Sequence, residues 1–345
     1  MEGLELEELE KQFIEACGDG NIGVAEKLLQ NPKINPNCQW GYNNDWTPFN
    51  IACFNGYIDI VKLLLNDNRV DINKADNYGF TPFWNACENG HAEIVRLLLN
   101  DKRVDINKSG KYDDDDDCGA LFFVACRNGH TDTVKLLLND QRIDINKAHS
   151  GATPFWIACR EARIEIVKLL LNDQRIDINR TSIDGETPFF VACQTEQIEI
   201  VKLLLSDERV DINKADYDGK TPFSIACTFG KTEVVKLLLN DQRVDLNKAN
   251  YDGETPLCGA CLNACVMTFD HGWIEDTPLH VACQNVDIEV LKLLLNDKRI
   301  SIKKKIKEGK TAMSIAKECN CSEIVKLIKE FDTGNFTKRL NVKMK

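Results

Sequence analysis

The sequence predicts an all-α solenoid of stacked helix–turn–helix repeats, each followed by a β-hairpin. The first observation is a period, because an Ala-Cys dipeptide returns at steps of 36, 34, 39, 33, 34, 34, 34 and 22 residues. These cysteines are Cys17, Cys53, Cys87, Cys126, Cys159, Cys193, Cys227, Cys261 and Cys283. The second is the near-identity of distant segments, such as TVKLLLNDQRIDINKA from Thr133 and VVKLLLNDQRVDLNKA from Val234. A fixed period of this length indicates units that cannot bury their apolar faces alone, so we predict one array rather than two domains.

The first helix of each unit begins at a Thr-Pro-Phe opening such as Thr81-Pro82-Phe83. Threonine is a good N-cap, and proline at the first helical position has a helical φ and loses no hydrogen bond there. The small pair Ala86-Cys87 allows close packing. We expect the helix to stop at Gly90, which can adopt the left-handed conformation.

The second helix covers residues 93–100, where Ile94, Val95 and Leu97 to Leu99 form an apolar stripe and Asn100 ends the helix. Alternation in Val104-Asp105-Ile106-Asn107 predicts a short strand-like piece. It leads into a turn such as Asp216-Tyr217-Asp218-Gly219, so the unit is predicted to be helix, helix, hairpin.

These units resemble the ankyrin repeat. Thr277-Pro278-Leu279-His280 matches the family's opening, Gly90-His91 and Gly129-His130 its inter-helix turn, Leu63-Leu64-Leu65 its second helix, and Val70-Asp71-Ile72-Asn73 its close. The resemblance covers roughly residues 9–330, about ten repeats. It implies a right-handed, curved stack whose concave groove of hairpin tips and first helices binds other proteins, and it implies no catalysis.

The repeat pattern sets the predicted boundaries. They are an N-terminal capping repeat at 1–42, six regular repeats at 43–250, a truncated degenerate repeat at 251–272, a further repeat at 273–306, a C-terminal capping repeat at 307–332 and a basic tail at 333–345. Ala162, Glu196 and Val286 replace the glycine of the inter-helix turn, so we expect those turns to be less favourable.

Charge and hydropathy limit the partners. The net charge is -11, and it divides into -18 for residues 1–300 and +7 for the last 45 residues. An acidic chain does not suit nucleic acid, and no run of 18 apolar residues suggests a membrane span. With five glutamates in residues 1–10 and no apolar leader, we expect a cytoplasmic protein, with nuclear import through the basic C-terminal residues as an alternative.

Cysteine usage is high, at fifteen residues. Repeats stacked at helix-packing distance separate equivalent cysteines too far for disulfides, so we interpret them as buried thiols in a reducing compartment. Cys258, Cys261 and Cys265 lie on one helix face near His271, His280 and Cys283, which leaves open a zinc site; damage to a degenerate repeat is the favoured interpretation. We therefore expect no metal and no cofactor.

Two charged runs have alternative interpretations. Asp113 to Asp117 lie where the period lengthens. They are interpreted as a solvated loop, as an acidic finger that binds a basic partner or, least favoured, as a calcium site. Lys303 to Lys305 form either a solvated cap of the stack or an import or anionic-surface signal.

Aromatic residues at tips and first helices are the candidate partner-binding site. They either stack between repeats or line the inner groove, and for the tip tyrosines a turn role is equally open. The candidates are Tyr78, Phe80, Trp84, Phe123, Trp156, Phe190, Tyr217, Lys220, Phe229 and Tyr251.

The sequence therefore predicts a monomeric, non-catalytic scaffold that binds another protein, with neither nucleic acid nor a membrane as partner. No catalytic motif is evident, and repeats use almost all of the 345 residues. The alternative function is a regulatory or inhibitory subunit that acts on an enzyme through an acidic surface.

Overall fold

Helix pairs joined by tight turns recur along the chain in the computed structural model, which describes residues 2–39, 45–108, 121–261, 288–318 and 322–332. The chain separates into two units, Met1–Asp177 and Ile178–Lys345. That division falls inside the predicted run of regular repeats at 43–250, whose boundaries stay a prediction.

The described residues of the first unit contain five helix pairs. They are α1 (Glu2–Gly18) with α2 (Ile22–Leu29), α3 (Pro48–Asn55) with α4 (Ile58–Leu65), α5 (Pro82–Glu88) with α6 (Ala92–Asn100), α7 (Leu121–Asn128) with α8 (Thr131–Leu138), and α9 (Pro154–Arg160) with α10 (Ile164–Leu171).

The second unit continues the pattern. Its helices are α11 (Pro188–Gln194), α12 (Ile198–Leu205), α13 (Pro222–Thr228), α14 (Thr232–Asn240), the helical residues 256–261 (α15) and 288–296 (α16), α17 (Ala312–Glu318) and α18 (Ser322–Asp332). None of the helices in these described ranges has the length and apolarity needed to cross a bilayer.

The threonine caps are confirmed. Thr81 has an extended backbone, its side chain accepts a hydrogen bond from the Trp84 amide at 3.2 Å, and proline follows it. Thr47, Thr153, Thr187 and Thr221 do the same at the start of their helices. These five first helices therefore begin at the same place in their repeats.

The inter-helix turns use the left-handed conformation whether or not glycine is present. Gly90 has φ +73°, as predicted, and Ala162 and Glu196 adopt φ +55° and +60° in the equivalent place. A Cβ disfavours this conformation, so these two turns are strained as expected. Val286 lies outside the described residues.

The core lies between the helix pairs. In α5 every residue from Pro82 to Cys87 is buried, whereas in α6 only Ile94, Val95 and Leu98 are buried. The first helices are thus enclosed by their neighbours, and each second helix has one solvent-facing side. The small Ala-Cys pair lies in the enclosed layer, where larger side chains would separate the helices.

The predicted strand-like segment is wrong. Residues 106 and 107 form a turn, residues 104 and 105 have no regular structure, and within the described ranges the only bridge is the isolated pair His149 and Ala152. Asp101 and Asp105 explain the difference, because their carboxylates accept the amides of Arg103 and Asn107 at 3.0 and 3.1 Å. Such Asx turns compete with extended pairing.

These turns carry a clamp between neighbouring repeats. The Arg103 guanidinium pairs with Asp101 at 2.6 Å and donates from Nη2 to the Leu65 carbonyl oxygen of the preceding repeat at 3.0 Å. The Asn73 side chain donates to the Arg103 carbonyl at 2.6 Å and accepts the Asp105 amide at 2.8 Å. Equivalent Asp-Arg pairs occur at Asp67, Asp140, Asp173, Asp207, Asp241 and Asp297.

The clamp also occurs after the region predicted to hold the truncated repeat. Arg299 donates to the Leu239 carbonyl at 2.5 Å, and the Lys307 amide donates to the Asp252 carbonyl at 2.9 Å. Arg299 and Lys307 therefore contact the repeat that ends near 248 and the turn that follows it. The predicted division into 251–272 and 273–306, which is based on the short 22-residue step between Cys261 and Cys283, stays a prediction.

Candidate functional site

Five of the ten candidate residues are buried, which favours the interpretation that these rings stack between repeats over the one in which they line the inner groove. Phe80, Trp84, Phe123, Trp156 and Phe190 are between 1% and 6% exposed. A buried ring cannot contact a partner in this conformation, so the alternative of packing inside the fold holds for these five.

The local contacts of these aromatic residues explain why they are buried. The residue after Thr-Pro-Phe donates its amide to the threonine cap, so it belongs to the first turn of an enclosed helix. Trp84 stacks on Phe80 with ring centroids 4.0 Å apart, and the Arg160 guanidinium lies 5.5 Å from the Trp156 ring centroid. These rings stabilise the stack.

The exposed candidates are Tyr78, Tyr217, Tyr251 and Phe229. The three tyrosines lie on the tip turns, the loops 76–80, 216–220 and 250–254 that precede the first helices. Phe229 lies elsewhere, because it is the C-cap of α13 at the inter-helix turn. The structure thus places the accessible aromatic surface mainly at the tips.

The tip turns are built by one polar side chain each. Asp216 accepts the Asp218 and Lys220 amides through Oδ1 at 3.0 and 2.8 Å. Asn250 accepts the equivalent amides of Asp252 and Glu254 at the same two distances. This Asx geometry is completed by a left-handed glycine, for example Gly219 with φ +82°.

Burial within the turn raises the pKa of Asp216 above its ordinary value, and the amide donors only partly oppose this. Asp76 occupies the same place in the first unit, accepts the Trp46 indole N–H at 3.1 Å, and likewise has a pKa raised by burial. Both carboxylates therefore stabilise their own turns by accepting backbone amides.

Lys220 is the one charged candidate. Its ammonium donates to Asp218 at 2.9 Å, and this hydrogen bond raises the pKa of Lys220. The side chain remains 39% exposed, so it can still be approached by a partner.

Sequence reasoning missed one tip residue, Ile183, which is 71% exposed. It stands in Ile183-Asp184-Gly185, in the place that Tyr217 and Tyr251 occupy before their own Asp-Gly pairs. The signal for it is the alignment of the x-Asp-Gly turns, in which isoleucine and tyrosine take the same place.

Only two of the six candidate zinc ligands lie within the described residues. Cys258 and Cys261 are buried, whereas Cys265, His271, His280 and Cys283 lie outside the described ranges. Within those ranges no three His, Cys, Asp or Glu residues come together as metal ligands.

Burial also governs the other thiols. It raises the pKa of Cys17 to about 12, and it raises the pKa of Cys53 and Cys87 above the ordinary value as well. At neutral pH these cysteines are therefore protonated and poorly nucleophilic.

The two charged runs have different outcomes. Asp113 to Asp117 lie outside the described residues. Lys303 to Lys305 are exposed, and Lys304 donates to the Asn247 carbonyl at 2.8 Å. Lys214 and Lys248 make the equivalent bond in earlier repeats, so Lys304 has a structural role.

Comparison with known proteins supports the repeat pattern. The family described as "Ankyrin repeats (3 copies)" matches residues 13–110, 108–182, 189–271 and 265–338. No curated protein matches the chain.

Proposed function

Since the chain belongs to the ankyrin-repeat family, we propose that it is a non-catalytic scaffold that binds a partner protein through its tip turns and the accessible parts of its first helices. Ankyrin repeats are protein-interaction modules, and stacked repeats present an extended binding surface. The observation that carries this proposal is the exposure of large apolar side chains on successive tips, with Tyr217 at 68% and Tyr251 at 65%. Exposed tyrosines of this kind are over-represented at binding hot spots.

The contact set proposed for the partner is Tyr78, Tyr217, Lys220, Phe229 and Tyr251. These side chains are exposed or partly exposed, and none of the three tyrosines is required by the hydrophobic core. Replacing one of them should therefore change binding while the fold stays intact.

The test is affinity capture with the full chain from a native lysate, followed by mass spectrometry. We expect a protein that the wild type retains and that the Tyr217→Ala/Tyr251→Ala variant retains weakly. Lys236→Ala, on the exposed side of α14, is the matched control and should behave as the wild type. Equal retention by all three proteins, or no specific retention, would refute the proposal.

The acidic charge of residues 1–300 favours a second candidate, a regulatory or inhibitory subunit that binds an enzyme electrostatically. Binding of this kind weakens as salt screens the charges. A captured enzyme whose activity falls on addition of the chain at low salt, and recovers at high salt, would support it. A flat salt response would count against it.

A further inference from the structure

Three consecutive tips of the second unit carry an apolar residue at the same turn position. These residues are Ile183, Tyr217 and Tyr251, with exposures of 71%, 68% and 65%, and we call them the tip row. They are more exposed than the other large hydrophobic side chains of the described residues, of which Tyr78 at 52% is next. Exposure of this extent in register is not explained by packing within the chain.

The tip row is held in place by bonds between tips. The Tyr217 amide donates to the Asp184 carbonyl at 3.2 Å, and the Tyr251 amide donates to the Asp218 carbonyl at 3.0 Å. Each tyrosine also lies against the glycine of the preceding tip, since a Cβ added at Gly185 would be 2.8 Å from Tyr217 Cδ1. A preordered surface loses less conformational entropy on binding than a mobile one.

Acidic residues follow the tip row along the same turns. Asp184, Asp218 and Asp252 come directly after its three members, and we call them the acid row. All three are exposed, at 71% for the Asp218 side chain and 80% for that of Asp252. Asp184 and Asp252 accept no side-chain hydrogen bond from a described residue.

The charge balance of these tips is strongly negative. Residues 182–186, 216–220 and 250–254 contain six carboxylates and one ammonium, that of Lys220. Lys307, on the next tip, lies 3.9 Å from Asp252, but both side chains are at least 70% exposed, so solvent screens this pair strongly. An acidic partner would be repelled here, and a cationic one attracted.

We propose that the tip row and the acid row together bind an extended, arginine-rich segment of a partner protein. Arginine suits both rows, because its planar guanidinium stacks on tyrosine faces and pairs with carboxylates, while its alkyl stem covers apolar surface. This inference rests on the proposed function and names the chemistry of the partner. Lysine fits less well, since it lacks the planar fork.

The probe is a fluorescein-labelled peptide of alternating arginine and serine. A length of about ten residues spans three tips that repeat at about 10 Å. Its affinity for the full chain is measured by fluorescence anisotropy, beside lysine-serine and glutamate-serine peptides of equal length. We expect the arginine peptide to bind more tightly than the lysine peptide and the glutamate peptide not to bind.

Variants locate the site. Tyr217→Ala/Tyr251→Ala should weaken the arginine peptide by about tenfold or more, and Tyr217→Phe/Tyr251→Phe by less than about threefold, because the aromatic faces remain. Asp184→Asn/Asp252→Asn should also weaken it about tenfold. Thermal unfolding of each variant shows whether the fold is retained; if the alanine variant loses its fold, the asparagine variant decides.

A control variant separates this site from general attraction to an acidic chain. Glu199→Gln/Glu233→Gln removes two exposed carboxylates from the second helices, away from the tips. It should leave the peptide affinity unchanged within about twofold. Equal losses in the control and the tip variants, or no binding by the wild type, would overturn this inference. The proposed function is judged separately by the lysate capture, and it fails if no protein is specifically retained or if the tip variant retains it as well as the wild type does.

Discussion

The Asn247 side chain donates to the Arg299 carbonyl oxygen at 2.6 Å, although 52 residues separate them. In regular repeats the same bond joins residues about one period apart, for example Asn213 to Arg243 at 2.7 Å. Asn247 also accepts the Ser301 amide at 2.7 Å. The clamp therefore has the same donors and acceptors across the long interval as across the regular ones.

Because the clamp bonds match, we predict that the long interval between Asn247 and Arg299 can be shortened to the spacing found in the regular repeats. Replacing residues 262–287 with a copy of residues 228–231 separates Cys261 from Arg299 by the same number of residues as Cys227 from Arg243. We expect a folded protein whose free energy of unfolding changes by less than about 2 kcal/mol, because the joined segments carry the same clamp partners as the preceding repeat. Urea denaturation followed by circular dichroism measures it.

Asn247→Ala is the companion variant. It should cost about 1 kcal/mol in both the natural and the shortened chain, since the Arg299 carbonyl and the Ser301 amide lose the same side-chain partner in each. A cost in only one of the two chains would show that the clamp at Asn247 is not shared.

Arg103 tests the clamp within the first unit. Arg103→Lys keeps the charge but cannot hold Asp101 and reach the Leu65 carbonyl at once, so we expect a loss of about 1 kcal/mol of stability. Arg96→Lys, in an exposed pair with Glu93, should change stability by less than about 0.5 kcal/mol. Equal effects of the two changes would mean that the clamp is only a surface ion pair.

Ala162 offers a stabilising change. Its φ of +55° is strained for alanine, and Ala162→Gly should raise the free energy of unfolding by about 0.5–1 kcal/mol, after allowance for the greater freedom of glycine in the unfolded chain. Gly309→Ala is the reverse change at φ +77°, where an added Cβ meets nothing within 4 Å. It should destabilise the chain through conformation alone, and thermal unfolding compares the two.

Trp156 distinguishes packing from partner binding. Trp156→Ala should cost about 3–5 kcal/mol, because it empties a buried site. Trp156→Phe should cost much less, because Phe190 fills the equivalent site of the next repeat and the buried Trp156 Nε1 has no hydrogen-bond partner among the described residues. Unchanged unfolding of the alanine variant would contradict the observed burial.

Asp216 gives a pH prediction. Its folded pKa is raised, so the ionised carboxylate opposes folding above that pKa, and the wild type gains stability as pH falls through the folded value toward 3.8. Asp216→Asn keeps the turn, as Asn250 shows, and lacks this dependence. The variant should match or exceed wild-type stability at neutral pH, by less than about 1 kcal/mol, and lose that advantage near pH 4. Unfolding midpoints from pH 7 to 4 test this.

The sequence predicts the helices well, but it predicts poorly the conformation of residues 104–107 and the burial of the candidate aromatic rings. The reasons are physical. Thr81 and Gly90 act through the backbone of their own turn, so local pattern is sufficient to place helix ends. Whether Trp84 is exposed depends on neighbouring repeats, and an enclosed helix such as α5 has no polar face for periodicity to detect. The alternation in residues 104–107 matches the pattern of a strand. It gives no sign that the carboxylates of Asp101 and Asp105 accept hydrogen bonds from nearby amides, which favours turns instead.

The clamp has a consequence for how such a chain can change in length. Its Asn, Asp and Arg partners are the same in successive repeats, so removing one whole period in register brings together neighbours that already carry matching donors and acceptors. Duplication of a period presents the same complementarity twice. A gene that encodes such repeats can therefore gain or lose one by unequal recombination without a compensating substitution where the new neighbours meet.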